Sequence, residues 1–330
     1  MSITWPDTGL RDAAELLRGA AEVTVLAHVQ PDADALGSAL ALGLALRRRG
    51  AAVRVSFGAP DTVPESLRFL DTAGLCVPAS EVPPTAELLI TADCASADRL
   101  GVLADLVPAT IAAGGSVLVV DHHVSNTRFG THHLVDDRAE ATALVALRLL
   151  DELGVALDEP IARCLYAGLA TDTGWFRRAG PEVHLIAARL LDAGVDAAAI
   201  SGALSGARPF AWLSMLSSVL DRARLEPAAA AGLGLVYTVV RLSDMVGVRM
   251  EEVESVVDIV RATAEAEVAA VLKEMAPDRW SVSLRATSVT DVAEVARRLG
   301  GGGHRQAAGF TAVGPAEEVL DRLRTALAVP

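Results

Sequence analysis

Short apolar runs alternate with helix-period patterns through the first half of the chain. Residues 23–27, 52–57, 88–92 and 117–120 are near-continuous stretches rich in Val, Leu, Ile and Ala. Runs without polar alternation suit a parallel sheet whose two faces are both covered. Between them, residues 36–49 set Leu40, Leu44 and Arg47 at helical spacing, and a second helix is expected near residues 97–106. Two more follow: residues 139–153, closed by Gly154, and a helix capped by Asp158 with Ile161, Leu165 and Leu169 along one face. Repeated strand, helix, strand units predict an α/β domain over residues 1–195, an open, mostly parallel sheet with helices on both faces.

Beyond Gly194 the pattern turns helical and weakly amphipathic as far as Glu226, which predicts a helical linker over residues 196–226. Residues 227–330 read as a smaller α+β domain with strands at 234–241, 266–273 and 279–286. The last two are joined by a turn at Ala276-Pro277-Asp278. A helix over residues 291–299 then runs into Gly300-Gly301-Gly302-Gly303-His304.

Composition narrows this picture. The 330 residues leave room for two domains, and 52% hydrophobic with only 4% aromatic residues means a core of Ala, Val and Leu. No apolar run approaches the roughly 18 residues of a membrane span. The first residues, MSITWP, lack a basic segment followed by an apolar one, so a cytoplasmic location is expected. Cys76, Cys94 and Cys164 are odd in number and scattered, which argues against a disulfide framework or a paired-thiolate metal site. A formal charge of −13 argues against a broad surface for duplex nucleic acid.

The candidate chemistry lies where the strands stop. The first run ends in His28, Asp32 and Asp34, the third in Asp93, and the fourth in Asp121-His122-His123; the helix from Ile161 ends in Asp172. Ligands gather beyond the carboxyl ends of strands in open α/β sheets. Singly, each residue has a plainer reading: Asp32 or Asp34 as a helix N-cap, Asp93 as the cap of a following helix, His28 as a satisfied strand-end histidine. Together they are too many carboxylates to sit uncompensated, and divalent cations resolve the repulsion. Mixed imidazole and carboxylate donors suit Mn²⁺, Fe²⁺ or Zn²⁺, and their number suits two ions. By contrast, His132, His133, Asp136 and Asp137 follow no expected strand and read as a solvated loop or helix start. The tetraglycine reads as an anion-binding loop, since glycines let backbone N–H groups approach a ligand; a flexible linker is the plainer alternative.

The segments HVQPDADALGS, DHH, TDTGWF and GGGGHRQAAGF, in this order, resemble the DHH–DHHA1 phosphoesterases. The resemblance spans nearly the whole chain and is nearest to the stand-alone bacterial oligoribonuclease (nanoRNase) and pAp-phosphatase branch, with a RecJ-like core. It implies two divalent metal ions, Mn²⁺ above all. His28, Asp32 and Asp93 would hold one; Asp34, Asp93, His122 and Asp172 would hold the other, with Asp93 shared. His123 would face the scissile phosphate, and Asp121 would support His122 or its strand end. Gly301, Gly302, Gly303, His304 and Arg305 would anchor substrate from the DHHA1 domain, with Arg285 as a further substrate-side residue.

The implied reaction is attack of a metal-activated water on phosphorus. Short oligoribonucleotides and linear dinucleotides such as pApA and pGpG would give 5′-mononucleotides, pAp would give AMP, and cyclic di-AMP is a further candidate. The family further implies a homodimer. Two alternatives stand beside it: a family II-like inorganic pyrophosphatase, which shares the first-domain motifs but not the GGGGH segment, and a non-catalytic nucleotide- or RNA-binding module.

Overall fold

The computed structural model describes residues 9–205 and 208–328. These divide into two compact units, Met1–Gly206 and Ala207–Pro330.

The first unit holds α1 (Leu10–Gly19), β1 (Glu22–Ala27), α2 (Ala33–Arg48), β2 (Ala52–Phe57), β3 (Leu88–Ala92), α3 (Leu106–Ala112), β4 (Ser116–Asp121), β5 (His132–Val135), α4 (Thr142–Glu152), α5 (Glu159–Asp172), α6 (Pro181–Asp192) and α7 (Ala197–Ser205). Its five strands run parallel in the order β2-β1-β3-β4-β5. The order reverses between β1 and β3, so the chain leaves those two neighbouring strands toward different helices and opens a crevice at their carboxyl ends. Val25, Ala27, Ile90, Leu118 and Val120 face one core with α2, α4 and α5. Leu26, Leu89 and Val117 face the other with Leu100, Leu106 and Val107. Burial on both sides explains the unbroken apolar runs.

The helix α2 is buried from Ala33 to Leu46. It crosses α5 so closely that a Cβ on Gly37 would lie 2.4 Å from the Cys164 carbonyl oxygen. This approach holds the start of α2, with its acids, against the end of α5.

Three sequence expectations for this unit change. The helix near residues 97–106 is instead a 3₁₀ stretch, Ala97–Leu103, broken at Gly101 (φ 59°), before α3 begins. The loop is drawn to the end of β1, where the Val29 N–H donates to the Arg99 carbonyl at 2.8 Å. His132 and His133 lie in an edge strand, β5, paired in parallel with β4, and Asp136 follows that strand's end. Four residues with two histidines carry too little apolar signal to read as a strand alone. Finally, α4 starts at Thr142, with Ala141 extended (φ −159°), rather than near Ala139.

The second unit holds α8 (Phe210–Asp221), β6 (Arg224–Glu226), a short turn α9 (Ala229–Gly232), β7 (Leu235–Val240), α10 (Met250–Glu254), α11 (Val256–Val260), β8 (Val268–Ala276), β9 (Arg279–Ala286), α12 (Val292–Arg298), β10 (Gly302–His304), β11 (Ala307–Val313) and α13 (Ala316–Leu327). The stretch expected as a linker divides: α7 lies in the first unit, α8 and β6 in the second. Its mixed sheet has the order β10-β11-β9-β8-β7-β6. One face packs Leu284, Val282 and Phe310 against Val295 and Leu323; the other packs Val236 and Val271 against Val219 and Val257. Among the described residues no helix is long and apolar enough to cross a membrane.

Candidate metal centre

The residues at the carboxyl edge of the first sheet come together. Their ligand atoms form three groups, each within 4.8 Å: His28, Asp32 and Asp93; Asp34, His122 and Asp172; and Asp93, His122 and His123. Asp93 and His122 are each shared by two groups, so the cluster is one continuous site. His28, Asp34, Asp93 and Asp121 are buried, whereas the Asp32 side chain is 59% exposed and lies at the rim.

Local backbone chemistry explains each placement. Asp32 caps α2 by accepting from the Asp34 and Ala35 N–H groups at 3.0 and 2.9 Å through Oδ1. Its Oδ2 lies 3.8 Å from His28 Nε2, so one carboxylate serves the helix and the cluster. Asp93 turns sharply after β3 in the left-handed region (φ 62°), a conformation Asp tolerates better than most residues. Asp34 reaches α4, where its two oxygens accept from the Thr142 and Ala143 N–H groups at 2.7 and 2.9 Å. The late start of α4 makes those donors available. The same turn offers the Thr142 hydroxyl to Asp93 Oδ1 at 2.6 Å and the Ala139 carbonyl to His122. Gly168 on α5 is required here, because a Cβ would lie 2.6 Å from Asp34 Oδ1.

The imidazoles are oriented by acceptors behind them. His28 Nδ1 donates to the Val29 carbonyl at 2.8 Å and His122 Nδ1 to the Ala139 carbonyl at 3.1 Å. A carbonyl only accepts, so each Nδ1 carries the proton and Nε2 is turned to the carboxylates. His122 Nε2 lies 3.4 Å from Asp172 Oδ2 and 3.6 Å from Asp93 Oδ1. Asp121 meets His123 Nδ1 at 2.7 Å rather than His122, and its other oxygen accepts from Asn126 at 2.6 Å. The expectation gave Asp121 to His122 or its strand end; its oxygens here meet His123 and Asn126.

Electrostatics show what the cluster wants. Burial, with repulsion from Asp93 and Asp172, drives Asp34 well above the ordinary carboxylate range. Burial raises Asp172 to about 6, Asp32 and Asp93 adding repulsion that His122 only partly offsets. Burial alone would lower His28, yet Asp32 and Asp93 raise it to about 10. Burial likewise works against ionised Asp93, but His28, His123 and His122 outweigh it and hold the carboxylate below its usual range. Protons thus do the neutralising work that divalent cations would do with the same donors. The set of imidazole nitrogen and carboxylate oxygen, with no thiolate among it, fits such ions; Cys94 nearby is fully buried, and its thiol is pushed up by that burial.

A pH dependence follows. Metal binding requires Asp34 and Asp172 to be ionised, and both are raised. Each displaced proton weakens binding by about tenfold per unit, and protons must leave His28 and Asp34 as well as Asp172, so affinity is expected to rise with pH across the range from 5 to 7.5. Calorimetric Mn²⁺ titrations at pH 5.0, 6.0 and 7.5 check this; equal affinities would contradict it. In the metal-free protein the sign reverses, since a raised carboxylate makes the fold more stable as pH falls from about 6 toward 4.

Gly301, Gly302, Gly303, Arg305 and Arg285 lie in the second unit. The tetraglycine is not a linker: Gly302–His304 is the edge strand β10. A Cβ on Gly301 would meet the Gly309 carbonyl oxygen at 2.1 Å, and Gly303 has φ 141°. Register places His304 opposite Ala307, and Ala307 opposite Arg285, so positions 304 and 285 share a row across three strands. The side chain of His304 lies outside the described residues. Arg285 is half-buried, 3.4 Å from Asp258, and Arg305 is exposed. Sequence reasoning missed Thr142, an ordinary helix-start residue, and Asn126, three residues past the second histidine.

Comparison with known proteins identifies the two domains. The DHH family, N-terminal domain, matches residues 22–169, and the DHHA1 domain matches residues 233–328. A bifunctional oligoribonuclease and PAP phosphatase from Thermus thermophilus is 32% identical over 96% of this chain and 94% of its own. A probable protein of the same kind from Streptococcus mutans is 26% identical over 62% of this chain and 65% of its own. Among solved structures, an exopolyphosphatase-related protein from Bacteroides fragilis superposes with a TM-score of 0.88 at 20% identity, over 99% of this chain and 97% of its own. The exonuclease RecJ bound to manganese superposes at 0.56, also at 20% identity, over 100% and 97%. These two share the fold.

Proposed function

Because the chain belongs to the DHH family of phosphoesterases and carries its DHHA1 domain, we propose that it hydrolyses short oligoribonucleotides and linear dinucleotides to 5′-mononucleotides and removes the 3′-phosphate of pAp. The observation that carries this reading is the convergence of His28, Asp32, Asp34, Asp93, His122 and Asp172 on one sheet edge, with His123 beside them. His28, Asp32 and Asp93 would hold one divalent ion, and Asp34, Asp93, His122 and Asp172 the other; Mn²⁺ suits these donors. Bound there, such ions lower the pKa of a water and offset charge on a phosphoryl group.

The chain's own residues supply the rest. The Thr142 hydroxyl fixes one Asp93 oxygen in direction, so that carboxylate is pre-oriented. Burial lowers the basicity of His123, but Asp121 and Asp93 outweigh it and raise it, which favours the protonated ring. With Nδ1 bound to Asp121, His123 offers Nε2–H to a phosphoryl or leaving oxygen. The row of Gly302–His304 and Arg285 in the second unit, with exposed Arg305 beside it, is suited to an anionic group of a nucleotide.

The test offers the Mn²⁺-loaded protein pApA, a five-nucleotide RNA, pAp, cyclic di-AMP and pyrophosphate. Turnover of the first three is expected; hydrolysis of pyrophosphate alone, or of nothing, would sink the reading. His123→Ala is expected to lower kcat by roughly 10²–10³-fold while Mn²⁺ affinity stays within about twofold. A loss of metal binding in that variant would instead make His123 a ligand.

A further inference from the structure

Beside His123, a cavity of about 300 Å³ runs between the loops that follow β4 and β5. We propose that this pocket binds a non-scissile phosphate of the nucleotide substrate, through Arg128 and Arg138; the inference rests on the phosphoesterase reading above. Its lining begins at His123, which faces the reacting phosphate in that reading, and extends to both arginines. A group held there belongs to the same substrate molecule but is not the one being cleaved.

Two features make this a built site. The first is that Arg128 is tied to the catalytic histidine. Asn126 donates through Nδ2 to Asp121 at 2.6 Å, Asp121 holds His123, and the same Asn126 accepts the Arg128 N–H through Oδ1 at 2.7 Å. Arg128 sits in the left-handed region (φ 51°), and its carbonyl accepts from His133 Nε2 at 2.8 Å. A backbone clamped on both sides in that conformation sets where the guanidinium stem leaves the loop, in fixed relation to His123.

The second feature is the charge balance. Asp136 would be the natural partner for both arginines, but it is engaged by Arg148 in a half-buried pair. Arg138 Nε stands 3.8 Å from Asp136, and the Arg138 side chain is 73% exposed. The lining itself holds two guanidiniums, Arg128 and Arg138, and two carboxylates, of which Asp136 is already paired to Arg148 from outside the cavity, in a chain whose formal charge is −13. Locally concentrated arginine in an acidic protein, beside a phosphoryl-transfer histidine, suits a phosphate dianion, which planar guanidiniums grip with two hydrogen bonds each. The cavity volume is at the small end for ligand sites and suits a phosphate with part of its sugar.

Two substrate pairs differ only in the phosphate in question: pAp against 3′-AMP, and pApA against ApA. In the Arg128→Ala/Arg138→Ala protein, KM for pAp and pApA is expected to rise roughly tenfold or more, with kcat little changed. KM for 3′-AMP and ApA should stay within about twofold, which also shows that the variant is folded. Equal losses on both members of a pair, or no loss on either, overturn the proposal. Calorimetric affinities for the same nucleotides, measured without divalent metal, read the pocket independently of turnover. A wild-type protein that hydrolyses none of them sinks the phosphoesterase reading, and the ratio of affinities still decides the pocket.

Discussion

Asp93→Asn is expected to abolish turnover, with kcat down by about 10³-fold or more, equivalent to roughly 4 kcal/mol of transition-state stabilisation. Asp93 lies within ligand distance of two of the three donor groups, so no other single carboxylate serves as much of the site. Asn is the informative replacement. It keeps an oxygen for the Thr142 hydroxyl and tolerates the left-handed backbone at φ 62°, where Ala would add strain. The measurements are kcat with each substrate at saturating Mn²⁺, stoichiometry of bound metal, and far-UV circular dichroism. Near-normal kcat would show that Asp93 is not the shared ligand. Lost activity with an altered spectrum would point to folding instead.

Asp34→Ala should differ in kind, because Asp34 also has a structural task. Its carboxylate accepts two buried N–H groups at the start of α4, and removing it leaves both without an acceptor. Each orphaned donor costs about 1–3 kcal/mol, while relief of a buried, disfavoured negative charge returns part of that, for a net loss of about 2 kcal/mol. Urea unfolding of metal-free protein should therefore show a lower midpoint for Asp34→Ala than for wild type at an unchanged slope, in addition to lost activity. Asp34→Asn should fall between, since one amide oxygen replaces one of the two acceptors. An unchanged midpoint for Asp34→Ala would mean that water or the backbone satisfies α4 without it.

The strands carrying the site were legible because each is a local signal: five or six apolar residues ended by an acid or histidine. The edge strand β5 was not, since His132 and His133 are polar and the strand is only four residues long. Its absence from the sequence reading hid Asp136 and Arg138 as neighbours of the strand-end chemistry after β4. The helix period at residues 139–153 was legible as well, but the start at Thr142 was not. That start is set by distant partners, Asp34 from α2 and His122 from the end of β4, which satisfy groups a longer helix would have used itself.

The sequence by itself determined the kinds of donor, their number, and the strand or helix end from which each departs. Periodicity and end residues are local properties, so they survive without coordinates. Only the tertiary structure decided which donors share a group, which histidine Asp121 serves, and that Thr142 and Asn126 bind the set together. Those relations join residues up to about a hundred positions apart through the parallel sheet and the close crossing of α2 on α5. Adjacent residues at a strand end point to different sides, so even neighbours such as His122 and His123 are told apart only by what folds against them.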